Sequence, residues 1–113
     1  MESSMVAIPT KKDSKFNVSI TANNDILSSD ITPYTVPSYL RIYATFDTAG
    51  VLTLRRTNGG TTISENLNSG NSLVANAAYV FDVITDDEET YNLQYSVNAT
   101  LLKLIVLEID RGI

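Results

Sequence analysis

Residues 39–46, YLRIYATF, alternate between two characters. Leu40, Ile42, Ala44 and Phe46 fall on one side of an extended chain, and Tyr39, Arg41, Tyr43 and Thr45 fall on the other. Side chains of a β-strand project alternately, so a period of two marks a strand with one buried face. Asp47-Thr48-Ala49-Gly50 then turns the chain, with glycine where positive φ is cheap. Residues 51–57, VLTLRRT, and 61–67, TTISENL, flank Asn58-Gly59-Gly60, a hairpin signal. Arg55 and Arg56 point to opposite faces of their strand, so an interface is one place where at least one of them could be paired.

The same period runs outward in both directions. Upstream, Phe16, Val18, Ile20 and Ala22 oppose Asn17, Ser19 and Thr21. Downstream, Tyr79, Phe81 and Val83 oppose Val80, Asp82 and Ile84, and Tyr91, Leu93, Tyr95 and Val97 oppose Asn92, Gln94 and Ser96. A long polar connection joins the first strand to the second, with a short strand expected near Ile26 and Leu27. Residues 72–78 read as a helical turn or a bend, and no segment carries a helical stripe. Strand signals separated by frequent turns predict an all-β domain: a two-sheet β-sandwich, jelly-roll-like, with seven to eight strands. The reading divides the chain into an extended N-terminal arm, 1–15, and a sandwich domain, 16–113. Phe16, Ile20, Leu40, Ile42, Phe46, Phe81, Leu93, Leu104 and Val106 are the expected core.

The last strand, from Thr100 to Arg111, departs from the pattern. Leu102, Leu104 and Val106 are assigned to one face, and Leu101, Ile105, Leu107 and Ile109 to the other. A strand apolar on both sides requires cover on both. Two covers are open: Met5, Val6 and Ile8 of the arm in the same chain, or another subunit. The arm also carries Lys11, Lys12 and Lys15 against Glu2 and Asp13, so the body is more acidic than the net charge of −5 for the chain. The residues expected at an interface are therefore Met5, Val6, Ile8, Lys11, Lys12, Leu101, Ile105, Leu107 and Ile109.

Composition narrows the chemistry. The chain of 113 residues holds no histidine and no cysteine, which removes the commonest general base, thiolate chemistry and disulfides. Asp86-Asp87-Glu88-Glu89 lacks the spaced ligands and glycine of a calcium loop and reads as a solvated turn. No catalytic residue, metal ligand or cofactor site is assigned, and the reading is of a non-enzyme. An acidic body disfavours nucleic acid, and the apolar runs are too interrupted for a membrane span. The N-terminus, MESSMVAIPTKKDSK, lacks the order of a secretory signal, so synthesis and folding in a cytoplasm are expected. Tyr39, Arg41 and Tyr43 share a face and read either as a binding row or as a cap on the sandwich edge.

From Tyr39 onward, over about two-thirds of the chain, the sequence resembles a known group. The strand before Asp47-Thr48-Ala49-Gly50, the Gly59-Gly60-Thr61-Thr62 hairpin, the Leu67-Asn68-Ser69-Gly70 turn and the run from Tyr91 to Ser96 carry the likeness. It is to small β-sandwich structural proteins of tailed viruses, notably those that decorate or cement capsids. The resemblance implies a virion component, a homo-oligomer with a trimer favoured, bound outside an icosahedral head against the major capsid protein. Similar patterns occur in tail, baseplate and spike modules, which implies a receptor or carbohydrate partner instead.

Overall fold

The computed structural model describes residues 9–34 and 38–110. Seven strands follow in order: β1 (Pro9–Ile20), β2 (Ser38–Phe46), β3 (Leu52–Asn58), β4 (Thr61–Asn66), β5 (Tyr79–Ile84), β6 (Thr90–Tyr95) and β7 (Ala99–Asp110). They form two antiparallel sheets, ordered β1-β7-β2-β5 and β4-β3-β6. The chain passes back and forth between the sheets, as in a jelly roll. The segment near Ile26 holds the eighth position, along the free edge of β6. It makes only isolated bridges there, Asp25 with Gln94 and Ile31 with Tyr91, because its polar, turn-rich sequence cannot sustain a ladder.

The alternation in 39–46 becomes alternating burial. Leu40, Ile42, Ala44 and Phe46 lie in the core, and Tyr39, Arg41, Tyr43 and Thr45 are half-buried outside. Leu52 and Leu54 of β3 meet them from the other sheet, with Leu93 and Tyr95 of β6. The Tyr95 ring stacks on Phe46 with centroids 3.7 Å apart, and its hydroxyl donates to the Thr48 carbonyl at 2.6 Å. Burial pushes that hydroxyl's pKa up to about 12. Gly50 is there to admit the ring: a Cβ at that position would lie 2.9 Å from Tyr95 and from Val97. The hairpin between β3 and β4 turns on Gly59 and Gly60, both with positive φ, while Asn58 pairs with Thr61.

Several expectations need correction. The boundary at residue 15 falls inside β1, whose ladder to β7 begins at Pro9 opposite Ile109, so 9–15 belong to the sandwich. Their polar side chains hid a strand that owes its place to backbone pairing. Phe16 is not a core residue. Asn17 takes a left-handed φ of 55°, which breaks the alternation and leaves Phe16 opposite the outward Lys103, 55% exposed. Leu101 is a core residue. Thr45 pairs with Lys103 and Phe46 with Leu101, so Leu102 is an extra residue, and that bulge turns Leu101 inward with Leu104 and Val106. Residues 72–78 hold a turn at Ala75 and Asn76, and a short 3-10 turn lies just before them at Asn68–Gly70. Ile20 and Phe81 are partly buried and pack against the core rather than within it.

Candidate interaction surface

The outer face of the four-stranded sheet is crossed by rows of paired residues. Pro9, Ile109, Tyr39 and Ile84 make one row. Lys11, Leu107, Arg41 and Asp82 make the next, and Ser14, Ile105, Tyr43 and Val80 the third. Phe16, Lys103 and Thr45 complete the surface. Val80 and Ile84 are 54% and 59% exposed, comparable with Phe16, and they lie on a face already apolar through Ile105, Leu107 and two tyrosines. Large apolar side chains gathered on one exposed sheet face mark an interaction site far better than the same residues scattered singly.

The opposite sheet presents a different outside. Arg55 there donates to Asp25 at 3.0 and 2.8 Å, to Asp30 at 2.8 Å and to Thr57 at 2.7 Å. Gln94 also donates to Asp25. Burial opposes the charge on Asp25, but the hydrogen bonds from Arg55 and Gln94 prevail and hold its carboxyl below the usual range. Arg56 bonds Glu65 and Glu89 and reaches the Ile84 carbonyl, at the end of the sandwich. Both arginines are thus paired within the chain.

One charged pair lies inside the apolar face. Arg41 donates to both Asp82 oxygens, at 2.9 and 3.1 Å, and its guanidinium sits 5.6 Å from the Tyr39 ring. Lys103 lies 5.8 Å from the Tyr43 ring centroid, and both tyrosines stand half-buried on β2, an inner strand of the sheet, rather than capping its edge.

The residues expected at an interface divide. Ile105 and Leu107 lie on the outer face, half-buried, and Lys11 is exposed beside Leu107. Ile109 shares the face but is only 5% exposed. Leu101 is in the core and offers no surface. Lys12 is the extra residue of a β1 bulge, between Lys11 opposite Leu107 and Asp13 opposite Val106. Its side chain turns away from the face toward Glu108, at 3.6 Å, and over the Tyr34 ring, at 3.4 Å. Glu108 also accepts from the Tyr34 backbone at 2.8 and 3.0 Å, so Lys12 serves its own chain. Met5, Val6 and Ile8 lie outside the described residues.

Phe16, Val80, Asp82 and Ile84 also belong to the surface, beyond the residues expected there. The signal for three of them was present: β5 is apolar on both of its alternating faces, the same property that singled out β7. Phe16 carried no such signal, because a left-handed asparagine cannot be read from alternation.

Among the described residues, no group of three or more carboxylates is close enough to hold a metal ion. Asp86, Asp87, Glu88 and Glu89 line an open hollow of about 330 Å³ with Thr32, Pro33 and Thr90. Glu89 accepts from the Tyr91 hydroxyl at 2.8 Å, and burial raises that phenol to a pKa of about 12. No described helix is long and apolar enough to cross a membrane. Among known proteins, no family model and no curated sequence matches this chain.

Proposed function

We propose that this protein is a structural subunit of a virion that decorates or cements the outside of an icosahedral capsid as an oligomer. The supporting observation is the contrast between its two outer faces. One is polar and internally bonded, while the other is apolar with three large side chains more than half exposed. Such a subunit requires a rigid frame and a contact face, and it requires no catalytic centre. The resemblance to capsid decoration proteins supplies the virion, the major capsid protein as partner and the absence of enzymatic activity. The test is sedimentation of the purified chain with emptied heads. Saturation at a fixed number of copies per head is expected, and Phe16→Lys or Val80→Lys, by breaking the face that joins the subunits, should weaken it while the β spectrum is retained. Absence of binding, or binding without saturation, would overturn the reading.

A second reading is a tail, baseplate or spike module that recognises a receptor or carbohydrate. The row of Tyr39, Arg41 and Tyr43 favours it, since aromatic rings and a guanidinium on an open face can stack on sugar rings. Binding to host cells or a glycan array, with no binding to heads, would select it.

A further inference from the structure

We infer that the outer face of the four-stranded sheet docks on the same face of a second copy of this chain, about a two-fold axis parallel to the strands. This rests on reading that face as a contact surface and is independent of the virion assignment. A two-fold contact must be complementary to itself, so whatever lies at one position has to suit what the symmetry brings onto it. The sheet order β1-β7-β2-β5 makes that a simple test. An axis parallel to the strands, passing between β7 and β2, lays β1 of one copy on β5 of the other and β7 on β2. Each cross-strand row then meets itself reversed.

The central rows suit this reversal. In one, Lys11 at the β1 edge comes onto Asp82 at the β5 edge of the other copy, and the reverse contact repeats it. Among the described residues Lys11 has no ion-pair partner. Asp82 is held by Arg41 on one side, but its side chain remains 48% exposed, which leaves room for a second cation. In the next row, Ser14 at one edge comes onto the exposed Val80 at the other, small against large, and Ile105 comes onto Tyr43. Face-to-face sheets pack about 10 Å apart with interdigitating side chains, a separation that a lysine and an aspartate together span.

The other face-to-face two-fold, with its axis across the strands, fits worse. It would lay Asp82 on Val80 and Lys11 on Ser14, burying both charges without new partners. The charge pattern therefore selects the second copy and its alignment together.

The experiment is sedimentation velocity on the full chain at micromolar to high micromolar concentration. The unmodified protein should reach the mass of two copies. Lys11→Asp and Asp82→Lys should each raise the dissociation constant about tenfold, since two pairs are lost and like charges replace them. An equimolar mixture of the two variants should recover the dimer, because both contacts regain opposite charges in the mixed pair. Ile105→Lys, at the centre, should give a single copy with an unchanged β spectrum, which keeps the test open if Asp82→Lys fails to fold. A mass of one or three copies for the unmodified chain would overturn the proposal. So would association indifferent to Lys11→Asp and Ile105→Lys, or folded variants whose mixture stays monomeric. Head binding by a chain that is a single copy in solution would leave the virion assignment intact and remove only the self-association.

Discussion

Three charged side chains show how this fold handles polar groups at different depths. Lys12 and Glu108 are 9% and 3% exposed, and each is expensive to bury alone. Together, with the Tyr34 amide donating to Glu108, they fasten the β1 bulge to the last strand. Lys12→Met should destabilise the domain by about 1–3 kcal/mol, because Glu108 stays buried while keeping its backbone donor. Urea denaturation with an unchanged slope would measure this. Asp47 lies at the surface, where its carboxylate accepts from the Thr100 amide and the Thr48 hydroxyl, both at 2.8 Å. The Thr100 bond, then that from Thr48, lowers its pKa. A carboxyl depressed on folding stabilises the native state fully above its ordinary value of 3.8, and the contribution is lost as pH falls through the lower folded value. Asp47→Asn should therefore lower the melting temperature at neutral pH, with the difference shrinking as the pH falls below 3.8, as thermal melts across that range would record.

β7 and β1 are the elements on which the surface depends. β7 is central in its sheet, flanked by β1 and β2, and its Leu102 bulge sorts the apolar residues. Leu101, Leu104 and Val106 serve the core, while Ile105, Leu107 and Ile109 face outward. Two outward residues nevertheless differ in depth. Leu107→Asp, at a half-buried site, should cost the isolated domain less than about 1 kcal/mol and act mainly on association. Ile109→Asp places a carboxylate at a residue only 5% exposed, and should cost about 2–5 kcal/mol of stability itself. Denaturation and sedimentation of the same pair of variants separate the two effects. For β1, the ladder to β7 already includes Pro9, Thr10 and Lys11, with Lys12 buried beside them. A chain lacking residues 1–12 should accordingly melt at lower temperature than one lacking 1–8, through loss of these pairings and of the Lys12–Glu108 contact. Equal melts would show that the start of β1 is dispensable.

Across the whole molecule, the pairing partners lie far apart in sequence. β1 closes on β7 and β2 on β7, so the larger sheet cannot form until both ends of the chain have come together. Among the described residues, only β3 and β4 are neighbours through a tight hairpin. Non-local topology of this kind delays the favourable contacts until loop-closure entropy has been met. Refolding from urea, followed by tyrosine fluorescence since the chain has no tryptophan, should occur in about milliseconds to seconds rather than microseconds. The wiring also explains the contrast between the two outer faces. The sheet containing β3 and β6 is bordered by the 25–31 segment, whose Asp25 and Asp30 engage Arg55, whereas no described segment crosses the face made by β1, β7, β2 and β5 in the same way.

The sequence by itself determined the class of fold, most of the core, and the positions of the turns. Period-two alternation and glycine-bearing turns are local properties, and they need only the backbone's geometry to be read. It also pointed to β7 as a strand with two faces to cover. What only the tertiary structure decided was the phase of particular residues. Asn17 in the left-handed region, the extra Leu102 and the extra Lys12 each shift a strand by one position, and one position exchanges core for surface. That is why Phe16 came out, Leu101 went in and Lys12 turned to Glu108. The contact surface belongs to the same category. Lys11, Ile105, Arg41 and Val80 are scattered along the chain and become neighbours only when four strands from its two ends and its middle are laid side by side.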